Sequence, residues 1–375
     1  MKKLFIVVNV DWFFLSHRKE IAVAAQREGY DVTIITKNTG KRSSIEALGL
    51  KIIDLPMNRS GKNIVEELST LYFLYKLYKK EKPDVVHHVG VKIILWGTLA
   101  AKFARVEGVV NALIGVGIFF PQNNMSIFSK IFIRLLRYAH HRKNLVVIFQ
   151  NNENKFLFLY NNIIQEDQAY MIKGSGVDLN QFCNTLEPAN GKIKVLLTAR
   201  MILEKGVFTL TDAANLLKSE YKDKVQFLLC GGIDDNPKAI NEEELNAVCD
   251  GEYISWLRYR TDVLELLKSS HIFVFPSYYP EGLPKSLIEA AAVGRPIITT
   301  NSAGCKETVV ERYNGFLIPI KNSEILAERL KILFDDTQLR ISMGKNSRRL
   351  AEKNFSIEDV ITKHLEIYSR LTTTK

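Results

Sequence analysis

Glu281 and Glu289 are separated by seven residues within the stretch 274–299, VFPSYYPEGLPKSLIEAAAVGRPIIT. The stretch reads as a buried strand (272–275), a Pro/Gly loop, a helix, a Gly-Arg-Pro break and a second strand (296–299). Glu281 falls in the loop just before the helix. Glu289 falls about two turns into it, with Lys285 and Ala292 as its i±4 and i±3 neighbours. Gly282, Leu283 and Pro284 are expected to start the helix, where the missing proline N–H costs nothing. The free N–H groups of such a first turn form an anion site. One strand–loop–helix unit thus offers two carboxylates for hydroxyls and a cradle for phosphate, a combination that fits a sugar nucleotide. A plain helix N-terminus with one acid in its first turn would also give a lone E-x7-E.

The elements that must position these residues follow a regular pattern. Apolar runs at 3–10, 31–36, 50–55, 84–88, 109–113, 145–149 and 169–172 read as strands, and helical periods near 16–28, 62–80, 92–105 and 126–142 separate several of them. Most runs are continuous Val/Ile/Leu, as expected of parallel strands covered on both faces. The pattern restarts at 193–199 and continues at 225–230, 272–275, 296–299 and 315–318. The fold class is therefore α/β, with two Rossmann-like domains facing across a cleft. The expected boundaries are 1–178 for the first domain, 179–192 for a linker marked by Pro188 and Asn190-Gly191, and 193–355 for the second. Ligands in such sheets sit outside the carboxyl ends of the strands.

Composition narrows the function classes. Hydrophobic residues make up 46% and charged residues 25%, ordinary for a globular protein, and 375 residues suffice for two domains. The net charge of +10 is uneven: residues 1–173 hold 25 Lys and Arg against 14 Asp and Glu, and the remainder holds 26 against 27. The two halves should therefore face different partners. No aromatic RNP motif, Cys/His finger or basic zipper is present, so nucleic acid is not an expected partner. Cys183, Cys230, Cys249 and Cys305 are scattered and read as reduced thiols in a reducing compartment, with no metal site. The start, MKKLFIVVNVDWFF, mimics a signal peptide, but Asp11 breaks the run and no cleavage site follows, so a first parallel strand is the better reading. No uncharged apolar run reaches transmembrane length.

The stretch 274–299 resembles the E-x7-E motif of the family 4 retaining glycosyltransferases of bacterial polysaccharide and O-antigen type, whose fold is called GT-B. The flanking pattern matches as well: Pro276-Ser277, Glu281-Gly282-Leu283-Pro284, Glu289-Ala290 and Gly294-Arg295-Pro296. So does Thr198-Ala199-Arg200 with Lys205-Gly206. The resemblance implies that Arg200 and Lys205 grip the donor diphosphate, and physics agrees, because negative charge grows on that group as the glycosidic bond breaks. Cations at a helix start oppose the helix dipole, which also points to an anionic ligand. The resemblance further implies that Glu289 binds ribose hydroxyls. Glu281 would orient the donor sugar beside the Gly282 and Leu283 N–H groups. Arg200, Lys205 and Glu281 are thus the catalytic candidates, with neither metal nor cofactor. The last helix, within 356–375, is implied to cross back to the first domain.

Other loops carry weaker signals. The loop Trp256-Leu257-Arg258-Tyr259-Arg260 resembles the family's loop that packs by the nucleobase, and its Tyr259 either stacks there or caps the fold. Asp234-Asp235 lacks D-x-D spacing, and the resemblance implies that its loop is mostly structural. The stretch 111–120, NALIGVGIFF, resembles a glycine loop of the polysaccharide enzymes, and Gly115 and Gly117 would let the backbone approach the donor sugar. The loop after the first strand, 9–18, has no glycine. The resemblance implies that this loop faces the acceptor, which makes Trp12, His17 and Arg18 acceptor-side candidates, although Trp12 and Phe13 could equally pack under a helix. Ser16 is the expected N-cap of the next helix. Of His87 and His88, at a strand's carboxyl end, one is expected to be a packed histidine.

Residues 126–143, SIFSKIFIRLLRYAHHRK, form a basic amphipathic stretch without an acid. Phe128, Ile131, Phe132, Leu135, Leu136 and Ala139 line one face. Covering the sheet would explain that stripe, and the missing acids favour an anionic membrane surface. The implied function is transfer of a sugar from a nucleotide-diphosphate sugar, UDP favoured, to a polyprenyl-diphosphate-linked saccharide, by a protein lying peripherally on the cytoplasmic face of the membrane. A sugar-nucleotide epimerase of similar architecture and a non-catalytic nucleotide-sugar-binding protein are the alternatives.

Overall fold

The computed structural model describes residues 1–57, 64–116, 120, 126–234 and 236–373. The chain divides into two units, Met1–Gly176 with Ile357–Lys375, and Val177–Ser356.

The first unit is built on seven parallel strands: β1 (Lys3–Val10), β2 (Asp31–Lys37), β3 (Lys51–Asp54), β4 (Val85–Val89), β5 (Gly108–Leu113), β6 (Leu145–Phe149) and β7 (Ala169–Met171). Their spatial order is β3-β2-β1-β4-β5-β6-β7. Every residue of β4 and of β5 is buried, as the unbroken apolar runs require of strands covered on both faces. Alternate side chains feed two cores. On one face Phe5, Val7, Val109 and Val147 meet Leu74, Ile94, Leu136 and Phe158 from four helices. On the other, Leu4, Ile6 and Val85 meet Ile21 and Ala25 of the helix Lys19–Arg27 and Val360, Ile367 and Leu371 of the helix Ile357–Thr373.

The adjacent histidines of β4 serve these opposite faces, and both are packed side chains. His87 bonds the Tyr368 hydroxyl through Nδ1 at 2.6 Å. His88 bonds Tyr78 Oη through Nε2 at 3.0 Å and Asn111 Oδ1 through Nδ1 at 2.9 Å. The amide of Asn111 donates in turn to Thr98 Oγ1 (2.9 Å) and to Nε2 of His140 (3.0 Å). His140 donates from Nδ1 to the Leu136 carbonyl at 2.8 Å. Burial lowers the pKa of His88 to about 3 and that of His140 to about 4, so both stay neutral. The His88 ring lies against Gly97, where an added Cβ would collide with it.

The glycine-free stretch after β1 is a short helix, Asp11–His17, where a loop was expected. Asp11 organises it. Its carboxylate accepts from the N–H groups of Trp12 (2.7 Å), Thr39 (2.6 Å) and Lys41 (3.0 Å) and from Thr39 Oγ1 (2.5 Å). Burial alone would raise its pKa, but these hydrogen bonds bring it below the usual value. Ser16 is therefore inside a helix and does not cap the next one. Its hydroxyl donates back to the Trp12 carbonyl at 2.9 Å, and Arg18 occupies the N-cap of Lys19–Arg27.

The second unit carries six parallel strands: β8 (Ile193–Thr198), β9 (Val225–Cys230), β10 (Ile254–Trp256), β11 (Ile272–Phe275), β12 (Ile297–Thr300) and β13 (Gly315–Ile318), in the order β10-β9-β8-β11-β12-β13. The stretch read as a linker is bound into this unit. Arg295 Nη2 donates to the Thr185 carbonyl (2.9 Å), Arg348 Nη1 to the Phe182 carbonyl (2.8 Å), and His271 Nε2 bonds the Pro188 carbonyl (3.1 Å).

Candidate active site

The carboxyl ends of β8, β9, β10 and β11 are neighbours in one sheet, and the strongest candidates gather on the loops that follow them. Arg200 lies just beyond β8, and its Nη1 donates to Asp234 Oδ2 at 2.8 Å on the loop after β9. Met201 and Ile233 form a parallel bridge, so these two loops are tied by backbone as well. Lys205 ends the turn Leu203–Lys205 and is 8% exposed. Its ammonium contacts the Glu281 carboxylate and sits 5.1 Å from the Phe275 ring centroid and 5.3 Å from that of Tyr279. Aromatic faces and a carboxylate thus hold a cation in a largely dry place.

The β8 and β11 loops are locked together by one carbonyl. Glu204 O accepts from Tyr278 N (2.9 Å), Tyr279 N (3.2 Å) and Ser277 Oγ (3.1 Å). The close approach requires Gly206, whose φ is 76° and where a Cβ would run into the Pro276 carbonyl. Gly304 plays the same part on the loop after β12, since its φ is 81° and a Cβ there would strike the Gly282 carbonyl. Nothing in the sequence singles out Gly304, because its constraint comes from a loop more than twenty residues away.

The helix bearing Glu289 runs from Lys285 to Val293 with Pro284 as its N-cap at ψ 127°, one residue earlier than a first-turn position. Gly282 and Leu283 accordingly lie in the preceding turn. Leu283 is buried in the same apolar cluster as Phe275, Leu287 and Ile288, so its side chain serves packing. The Glu289 side chain is 14% exposed, with Lys285 Nζ 3.7 Å away. Burial raises its pKa, and Lys285 partly opposes the shift. Tyr259 is 74% exposed on the turn after β10, next to Gly232. Beside it Trp256 donates from Nε1 to the Gly231 carbonyl at 2.9 Å, and the Arg258 guanidinium lies 4.6 Å from the indole centroid. This is an exposed platform with a fixed backbone.

The remaining candidates belong to the first unit. Gly115 follows the end of β5, and Gly117 lies outside the described residues. Trp12 and His17 are half-buried on the helix Asp11–His17, with His17 stacked on Phe13 at 4.1 Å. Arg18 does not present itself to an acceptor. It is 2% exposed and donates to the His17 carbonyl at 2.9 Å. Burial lowers its pKa to about 10 despite the opposing influence of Tyr368.

The basic helix, Ile127–His140, does two things at once. Phe132, Ile133, Leu136 and Ala139 are buried against the sheet, while Ile127, Phe128 and Ile131 are 77%, 60% and 55% exposed. The expected single apolar face is thus split, and the exposed part is interleaved with exposed Lys130, Arg134 and Arg137. Among the described residues no helix is long and apolar enough to cross a membrane.

Known proteins resemble this chain in sequence and in fold. Residues 181–350 match the family described as Glycosyl transferases group 1, and residues 3–151 match Glycosyl transferase 4-like. The chain is 28% identical to an N,N'-diacetylbacillosaminyl-diphospho-undecaprenol alpha-1,3-N-acetylgalactosaminyltransferase of Campylobacter jejuni, across 96% of this chain and 98% of that one. It is 25% identical to a UDP-Gal:alpha-D-GlcNAc-diphosphoundecaprenol alpha-1,3-galactosyltransferase of Escherichia coli, across 93% and 91%. The crystal structure of a glycosyltransferase from Rickettsia africae superposes with a TM-score of 0.81 at 23% identity, covering 100% of this chain and 99% of that one. With both units matched in sequence and the whole chain matched in fold, the protein belongs to the GT-B glycosyltransferases of the group 1 and family 4 kind, of bacterial polysaccharide and O-antigen type.

Proposed function

We propose that this glycosyltransferase moves a sugar from a UDP-sugar to a saccharide carried on a polyprenyl diphosphate, with retention of anomeric configuration. The observation that carries the reading is the placement of Arg200 and of the Lys205–Glu281 pair on loops that leave the carboxyl ends of the adjacent strands β8 and β11, with Glu289 on the helix that follows the Glu281 loop. The two relatives whose names specify undecaprenol-diphosphate acceptors support the acceptor class, and the UDP-galactose in one of those names supports the donor.

In this reading Glu289 takes the ribose hydroxyls and Glu281 orients the donor sugar. The bond between the sugar's anomeric carbon and the β-phosphate oxygen breaks, and the acceptor hydroxyl oxygen bonds to that carbon on the same face. The acceptor proton passes to the departing phosphate. Arg200 and Lys205 stabilise the charge left on the diphosphate, worth about 3 kcal/mol for one well-placed donor. No protein nucleophile is assigned. Protein cations carry this charge, so chelation by EDTA is expected to leave transfer intact, and a loss restored only by Mn²⁺ would refute that assignment.

In this reading the enzyme works at the cytoplasmic face of the membrane that holds the acceptor's lipid tail. The exposed Ile127, Phe128 and Ile131 among Lys130, Arg134 and Arg137 suit a peripheral contact with anionic lipid. Screening UDP-, GDP- and ADP-sugars for hydrolysis and thermal stabilisation tests the donor assignment. Selective stabilisation by a GDP- or ADP-sugar would overturn it.

A further inference from the structure

Each cation proposed to meet the donor, or flanking it, already has a carboxylate close by. Glu281 holds Lys205, Glu289 lies near Lys285, and Asp234 holds Arg200. Two of these acids have assignments at the sugar and the ribose. Asp234 has none, yet it occupies the guanidinium that the diphosphate would need.

The geometry of this pair is unequal. Asp234 does not depend on Arg200 for its position, because its Oδ1 accepts from the Asn236 N–H of its own loop at 3.0 Å. That leaves Oδ2 fixed in front of Arg200, which engages it through Nη1 alone at 2.8 Å. A guanidinium presents a planar fork that two phosphate oxygens satisfy better than one carboxylate oxygen. The pair is partly exposed, with side chains 30% and 16% accessible, so exchange of partners does not require opening a core.

We propose that Asp234 sets the enzyme's affinity for nucleoside diphosphate by competing for Arg200. It holds the guanidinium while the site is empty, yields it to the donor, and reclaims it as the product leaves. Competition matters most for the product, since the diphosphate gains one negative charge over the donor once it gives up the acceptor's proton to solvent, and the same cations would otherwise grip it more tightly than the donor. Product release limits turnover in many enzymes, and a fixed carboxylate beside the leaving group's cation opposes that trap. The inference rests on Arg200 being a diphosphate ligand.

Calorimetric titration with UDP and GDP, on the full chain, tests it in four proteins: wild type, Asp234→Asn, Arg200→Ala and the double variant. Asparagine keeps a carbonyl oxygen for the Asn236 N–H, so the loop is retained; Asp234→Ser is the substitute if Asp234→Asn fails to fold. With Arg200 present, Asp234→Asn is expected to tighten diphosphate binding roughly threefold to tenfold. It should lower the donor KM and lower kcat with it. With Arg200 absent, the same substitution should change affinity less than about twofold. Unchanged or weaker binding in Asp234→Asn overturns the proposal, as does equal tightening in both backgrounds, which would indicate a general charge effect. If Arg200→Ala binds both diphosphates as wild type does, the diphosphate role of Arg200 falls first, and the proposal with it. A structural role alone predicts weaker binding and a lower melting temperature, never tighter binding.

Discussion

Replacing Glu289 with Gln should move stability and affinity in opposite directions. The carboxylate is 14% exposed and its nearest cation, Lys285, is 3.7 Å away, too far for a tight charge-assisted hydrogen bond. Burial raises its pKa, so at neutral pH the ionised group is held against a desolvation cost that Lys285 only partly offsets. An isosteric amide removes that cost, and a gain of about 0.5–1 kcal/mol is expected for the empty protein. For a unit of this size that is a melting temperature higher by about 1–4 °C. Affinity should fall, because a charged acceptor for two hydroxyls becomes a neutral one, a loss of about 1–2 kcal/mol or roughly fivefold to thirtyfold in Kd. The pH dependence has a definite sign. The folded-state pKa lies above the unfolded one, so the carboxylate costs stability at neutral pH and the cost disappears as pH falls through the raised value. The melting difference between Gln and wild type should therefore shrink on acidification, and wild-type nucleotide affinity should drop over the same window. Melting curves and calorimetry with UDP and with its 2′,3′-dideoxy counterpart check this. The ribose role is refuted if the substitution weakens both nucleotides equally, or if it leaves UDP affinity unchanged and lowers the melting temperature.

Other perturbations probe separate parts of the account. Arg200→Ala and Lys205→Ala should each lower the transfer rate about a hundredfold or more; near-normal turnover in both would remove them from the diphosphate. Gly97→Ala should destabilise the first unit by about 1–3 kcal/mol, since its methyl must displace the hydrogen-bonded His88 ring; thermal melting reads this, and an unchanged midpoint would mean that the histidine network is loose. Reversing Lys130, Arg134 and Arg137 to Glu should release the protein from anionic liposomes at low salt while sparing UDP binding; a wild-type protein that fails to sediment with such liposomes would return the helix to sheet covering alone.

The sheets were legible in the sequence for a simple reason. Parallel strands buried on both faces leave unbroken apolar runs such as 145–149 and 272–275, and these became β6 and β11. The edge strand β10 escaped, because three residues beside a basic turn leave no such run. Local readings failed where a distant contact decides. Asp11 turns an aromatic stretch into a helix only by holding the N–H groups of Thr39 and Lys41. Arg18 reads in sequence as an acceptor-side candidate, and its burial against the helix Ile357–Thr373 becomes apparent only when residues more than 340 positions away are placed beside it. At the candidate site the motifs named the side chains but not their partners. The pairing of Arg200 with Asp234 spans 34 residues and two strands, and no spacing rule connects a strand-end arginine to an acid on the neighbouring loop.

The most direct test of the account is the structure of the product formed when the purified protein meets a UDP-sugar and a polyprenyl-diphosphate-linked saccharide. Mass and anomeric configuration of the glycolipid, read together by mass spectrometry and NMR, decide it. One added sugar is expected, in the α configuration of the donor, with UDP released in equal amount. A β-linked product, or UDP-sugar consumed with no sugar gained by the lipid, would contradict it.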